Sequence, residues 1–351
     1  MRIAVTGAAG LIGAEAVRAA AAQGHEVTAV VRPTTRRAFL EDVSMTVAEA
    51  DVLETPELLV AAFEGADALL HTAATFEYGG DARALHRIAV AGTENVLRAA
   101  AAAGIRRVVV TSSSVVFGYS RRAEVVDERR GLTDFAGEPA YVAAKVAQHR
   151  LGFALGERLG LDVVMACPTM SIGQTAATLG PSNGLILAYL ADKLRCTYPG
   201  GCNIVAAADI GAAHVLLAEK GAAGEHYLLG GDNLSWAEIH AEIGRLAGVG
   251  GPALEIGAGF ASLLAGAEEM VARIGGRPPY STREQAGMLG RFYWYDHGRA
   301  AALGYAPRPA RQALLETLSW LVASRHVPRE MRAGIRLDED VYRFRYGREA
   351  A

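Results

Sequence analysis

Short apolar runs alternate with helix-like stretches along the first two thirds of the chain. Ile3-Ala4-Val5 reads as a buried strand, and an alanine-rich helical stretch follows the glycines after it and runs to Gln23. Residues 26–31 form a second strand, 44–48 a weaker third, and 66–71 a fourth. A long helix over 84–103 leads to a strand over 107–111, and another helix is expected over 139–159. Strands this apolar, alternating with helices, predict an α/β fold with a doubly wound parallel sheet. Further on, 204–208 reads as a strand and 209–220 as a helix returning to the sheet. Ser235 with Glu238 three residues later is a capping-box signature opening a helix within 232–248. A helix over 260–274 is stopped by Gly275-Gly276-Arg277-Pro278-Pro279. Residues 175–198 are less regular and contain an expected loop, Gly180-Pro181-Ser182-Asn183-Gly184.

Composition narrows the class. The chain has 351 residues, 51% of them hydrophobic, and a net charge of −3, enough for a large core and no sign of a nucleic-acid binder. Met1 leads straight into a strand, and every apolar stretch is broken by Arg, Glu or Gly before it can span a bilayer. The expectation is a cytoplasmic protein with no membrane partner. Cys167, Cys196 and Cys202 lack metal-site spacing and are expected as reduced thiols, with no metal bound.

The candidate chemistry sits where strands end. Gly7, Gly10 and Gly13 lie between a strand and a helix, where a turn, a close pyrophosphate and a close helix each favour glycine. The N–H groups opening that helix then face an anion. After the second strand, where an acidic residue commonly binds a ribose, the chain has Arg32, then Arg36 and Arg37. An arginine suits a 2′-phosphate, so NADP(H) is expected over NAD(H); the alternative is a solvated basic loop. Ala50-Asp51-Val52 lies where an adenine edge is met, and the small run Thr72-Ala73-Ala74-Thr75 leaves space for a cofactor. Thr111-Ser112-Ser113-Ser114 closes a strand at its carboxyl end. Tyr141 and Lys145 share one helix face, where an ammonium would lower the phenol pKa.

Taken together, TGAAGLIG (6–13), ADV (50–52), HTAA (71–74), GTENVLRAA (92–100), TSSSVVFG (111–118), YVAAK (141–145) and CPTMSIG (167–173) closely resemble the extended short-chain dehydrogenase/reductase superfamily and its NAD-dependent epimerase/dehydratase family. Within it the chain looks nearest to dihydroflavonol-reductase-like proteins and to sugar-epimerase-like proteins associated with hopanoid genes. The resemblance implies Tyr141 as proton donor and acceptor, Lys145 on the nicotinamide ribose, and Ser113, rather than Ser112 or Ser114, as the active serine. It places Gly7, Gly10, Leu11, Ile12 and Gly13 on the pyrophosphate and Asp51 with Val52 on the adenine. Ala73, Ala74, Thr75, Thr111 and Ser112 would line the cofactor, and Pro168, Thr169 and Met170 the nicotinamide. Phe76, Tyr119 and Asn183 are substrate candidates. The chain departs from the family at Ala89 (Asn in many members), Ala144 (usually Ser) and His149 (usually Glu).

The resemblance also divides the chain into a discontinuous nucleotide domain, 1–174 with 203–222, and a substrate domain, 175–202 with 223–351. The first functional expectation is an NADP(H)-dependent oxidoreductase acting on a small-molecule carbonyl/alcohol pair. The second is a nucleotide-sugar epimerase or dehydratase with tightly held NAD, in which Arg291, Arg299, Arg308 and Arg311 meet the diphosphate. A catalytically silent cofactor sensor is the third. Family members commonly form homodimers through the helices at 84–103 and 139–159, whose small apolar residues would equally serve packing within one subunit.

Overall fold

The computed structural model describes residues 1–35, 40, 43–54, 56–75, 81–134, 136–174, 179–276, 279 and 281–347. In chain order its first half runs β1 (Arg2–Thr6), α1 (Leu11–Ala22), β2 (Glu26–Val31), β3 (Thr46–Glu49) and α2 (Pro56–Phe63). Next come β4 (Ala68–His71), α3 (Ala82–Ala102), β5 (Arg107–Thr111), α4 (Ala140–Leu159) and β6 (Asp162–Pro168). The chain continues through β7 (Met170–Ile172), α5 (Pro181–Ala191), β8 (Cys196–Thr197), β9 (Gly201–Ala206), α6 (Ala207–Lys220) and β10 (His226–Leu229). It ends with β11 (Asp232–Ser235), α7 (Trp236–Ala247), β12 (Leu254–Glu255), α8 (Ala258–Ile274), α9 (Arg283–Ala286), β13 (Phe292–Tyr293), α10 (Gly298–Ala301), α11 (Ala310–Ala323), α12 (Arg329–Gly334) and α13 (Glu339–Tyr346).

Seven strands make one parallel sheet in the order β10-β6-β5-β4-β1-β2-β3. The order reverses between β1 and β4, and the loops leaving those two strands diverge to open a crevice at the carboxyl edge. Both faces of the sheet are covered, which is why its strands read as continuous apolar runs. Val17 and Ala20 of α1 with Ile210 and Leu217 of α6 cover one face, over Val5 and Val109. Phe63, Val96 and Val146, from α2, α3 and α4, cover the other, against Val108 and Met165.

Three expectations from the sequence are corrected. The strand at 204–208 was expected in the main sheet, but β9 instead pairs with β7, β11 and β13 in a smaller second sheet. The seventh main-sheet strand is β10, inside the stretch expected as substrate domain, with Leu228 in register with Cys167. Both segments are short and apolar, and periodicity does not distinguish which sheet a buried strand joins. The expected loop at Gly180–Gly184 is the start of α5: Gly180 caps it and Pro181 takes the first helical position, where its missing N–H has no partner to lose.

Candidate active site

The first βα turn is shaped by its glycines. Gly7 has φ +66°, and a Cβ there would lie 2.6 Å from Ala73 Cα. A Cβ on Gly13 would lie 2.2 Å from the Gly7 carbonyl oxygen and 2.6 Å from Thr72 Oγ1, so α1 packs directly on the turn. Gly10 caps α1 with no side-chain hydrogen bond, leaving the opening N–H groups of the helix to an anion. Gly10, Leu11, Ile12 and Gly13 line one end of a cavity of about 570 Å³. A cradle that any Cβ would fill, beside an uncapped helix N-terminus, fits a dinucleotide.

The surrounding candidates take different positions. Ala74 lines the cavity, while Ala73 abuts Gly7 and half-buried Thr75 is outside the lining. Asp51 Oδ1 accepts from Leu53 N at 2.9 Å, and Asn95 Nδ2 donates to the Val52 carbonyl at 3.2 Å, fixing the loop after β3. Arg32 is exposed immediately after β2. Arg36, Arg37 and Phe76 lie outside the described residues.

The three serines after β5 have three different partners. Ser112 Oγ lies 2.8 Å from His149 Nδ1, Ser114 hydrogen-bonds Tyr295, and Ser113 hydrogen-bonds Tyr141. Tyr141 and Lys145 stand one turn apart near the start of α4, and both line the cavity with Thr111, Ser112 and Ser113. Lys145 Nζ donates to the Thr111 carbonyl at 3.0 Å and to Gln148 Oε1 at 2.8 Å. Gln148 Nε2 donates to Thr93 Oγ1 at 2.8 Å, Thr93 pairs with His71 Nε2 at 3.0 Å, and His71 Nδ1 with Thr6 Oγ1 at 2.8 Å. This buried polar chain ties the lysine to the central strand. Gln148 was not among the sequence candidates, although its i+3 spacing from Lys145 is a readable signal.

Burial sets the protonation of these groups. It pushes the Tyr141 phenol up to about 12, opposed by the Ser113 hydrogen bond, and pulls Lys145 down to about 8. The expected lowering of Tyr141 by the ammonium is therefore corrected: burial raises the phenol, and Nζ is bonded to Thr111 and Gln148.

Pro168, Thr169 and Met170 line the middle of the cavity, and α5, α7 and α8 wall its far end. Thr169 Oγ1 donates to buried Asn203 at 2.7 Å, joining the two sheets. Asn183 is corrected: it lies off the cavity lining, 1% exposed, with its amide bonded to the Gly173 N–H and carbonyl. Tyr119 lies one layer back, its ring 5.5 Å from that of cavity-lining Tyr293 and under the Arg291 guanidinium. The four arginines considered for a diphosphate are also corrected. Arg291 pairs with Glu138, Arg299 with Glu225, Arg308 with Asp209 and Glu316, and Arg311 with Glu242 and Asp340. None of them lines the cavity. The lining residues that sequence reasoning missed include several on α5, α7 and α8, among them Tyr189, Trp236, His240 and Leu264.

Against this geometry, residues 3–230 match the model of the NAD dependent epimerase/dehydratase family. The chain belongs to that family. It is an enzyme of the NAD(P)-dependent oxidoreductase type. A putative dihydroflavonol 4-reductase from Synechocystis is 28% identical over 324 residues, 90% of this chain and 93% of the relative. Sterol demethylase protein B from Methylococcus capsulatus is 31% identical over 254 residues, 72% of this chain and 76% of the relative. Among solved structures, gox2253 superposes with TM-score 0.79 at 27% identity, covering 93% of this chain and 99% of that one. The family's parallel sheet also appears in the dTDP-glucose 4,6-dehydratase DesIV from Streptomyces venezuelae, with TM-score 0.73 at 22% identity over 94% of this chain and 100% of that one, a likeness of fold. Among the described residues, no helix is long and apolar enough to cross a membrane.

Proposed function

We propose that this enzyme is a cytoplasmic, NADP(H)-preferring reductase or dehydrogenase of a carbonyl/alcohol pair, working through Ser113, Tyr141 and Lys145. The observation that carries this reading is the Ser113–Tyr141 hydrogen bond, with Lys145 on the same cavity wall and the glycine turn at its other end. A bound nicotinamide supplies or accepts the hydride. In reduction, the Tyr141 hydroxyl gives its proton to the carbonyl oxygen as the carbon gains hydride, so ketone, NADPH and one proton yield alcohol and NADP⁺. The Ser113 hydroxyl donates to that same oxygen and orients it. The Lys145 ammonium favours the phenolate left after transfer, and the polar chain through Gln148 keeps that cation in place. Arg32, exposed after β2, supports preference for a 2′-phosphate.

The test uses freshly purified protein. Denaturation and mass analysis identify any released nicotinamide, and the emptied protein is titrated with NADPH and NADH. Little bound cofactor and at least tenfold tighter NADPH binding are expected. Abundant co-purified NAD would overturn the reading in favour of an enzyme that returns the hydride to its own substrate.

We also propose a symmetric homodimer through α3 and α4, where Ala91, Ala143 and Ala147 remain half-buried and allow close approach. Light scattering that gives a monomer at micromolar concentration would reject it.

A further inference from the structure

The far end of the cavity has a chemistry of its own. Among the described residues, Lys145 is the one Lys or Arg that lines the cavity, and its Nζ already donates to Thr111 and Gln148. The acidic lining groups are Asp192 and Glu268. Asp192 accepts from the Leu194 and Cys196 N–H groups at 2.8 and 2.6 Å and caps the turn after α5. His240 stacks on Tyr189, ring centroids 4.5 Å apart and planes 6° from parallel, and the Trp236 ring lies 6.1 Å from it at 30°. Burial holds that imidazole down at about 4, so it is neutral at pH 7. Ala261, Leu264 and Ala265 of α8 add an aliphatic wall to the same cavity that this aromatic shelf lines. Leu194 and Leu264 both line the cavity and are 63% and 41% exposed, so the mouth is apolar as well.

A nucleoside diphosphate draws on cationic partners for two phosphates, and burying it beside carboxylates with no uncommitted cation in the described lining is costly. A flat, uncharged ring system instead gains from the shelf and the aliphatic wall alone. We infer that the substrate of the proposed reductase site is an uncharged, largely hydrocarbon ring ketone or alcohol that lies between the Tyr189–His240–Trp236 shelf and α8, and that nucleotide-linked sugars are not accepted there. This inference rests on the oxidoreductase reading only for the ketone or alcohol; the apolar pocket stands independently of it.

The test is binding before turnover. Quenching of tryptophan fluorescence is followed on the full chain, with NADP⁺ present, for cyclohexanone, 2-decalone, progesterone and UDP-glucose. At least one of the two fused-ring ketones is expected to bind at least tenfold more tightly than both cyclohexanone and UDP-glucose. Leu264→Lys, a partly exposed change expected to leave the melting temperature within 2 °C, should weaken that binding at least tenfold. Tighter binding of UDP-glucose, or no saturable binding by either fused-ring ketone, overturns the inference. Fused-ring binding without NADPH oxidation would keep the pocket assignment and remove the reductase reading.

Discussion

The three serines after β5 are adjacent in sequence, and only their partners tell them apart. Ser113→Ala removes the hydroxyl that meets Tyr141, whereas Ser114→Ala removes one that meets Tyr295. Steady-state assays should therefore show turnover lost by about 10²-fold or more for Ser113→Ala and Tyr141→Phe, the range for a positioned proton-transfer group. Ser114→Ala should stay within about threefold of wild type. Gln148→Leu leaves Lys145 with the Thr111 carbonyl and strips Thr93 of its amide partner, a cost of about 1–3 kcal/mol for the buried polar group. Because burial holds Lys145 at about 8, the reduction rate should fall as pH rises through that value, where the ammonium is lost. A flat pH–rate profile from 7 to 9 would contradict this role. Tyr141 and Lys145 were legible because one helical turn fixes their relation. The pairing of Arg308 with Asp209 spans 99 residues and had no local signal, so arginines already held by carboxylates read from sequence as available charge.

At the scale of elements, legibility followed the same division. The capping box at Ser235 and Glu238 opens α7 as expected, because both hydrogen bonds lie within one turn. The start of α5 reads as a loop because its Gly-Pro-Ser-Asn composition favours turns and helix starts alike. Nothing local in the sequence reveals that the Asn183 amide binds Gly173. The glycine turn allows a sharper expectation. Gly13→Ala puts a methyl against the Gly7 carbonyl, so α1 must shift away from β1. Dinucleotide binding should weaken by at least tenfold, with a stability loss of about 1–3 kcal/mol from overpacking. Denaturant melts and cofactor titration of the variant check both. An unchanged affinity would mean that α1 does not hold the pyrophosphate.

For the molecule as a whole, buried neutral histidines govern the response to acid. Burial holds His71 and His149 at about 3, and His214 and His240 at about 4. In the unfolded chain these side chains titrate near about 6.5, so between the two values the unfolded state binds protons that the folded state refuses. Their contribution is complete above about pH 6.5 and is lost as pH falls towards 3–4. Each histidine adds up to about 1.4 kcal/mol of destabilisation per pH unit across that window. Thermal melts should therefore fall steadily from pH 6.5 to 4, and a constant melting temperature there would mean that these imidazoles are charged in the fold.

The position of β10 in the chain bears on how the protein is made. Until residues 226–229 emerge from the ribosome, the outer edge of β6 has no partner, and the residues that β10 covers there, Met165, Ala166, Cys167 and Pro168, are all apolar. An unpaired apolar edge invites pairing with another nascent chain. Synthesis that stalls after α6 would therefore release a nearly complete sheet with one adhesive side, and only residues 221–229 separate that species from a closed one.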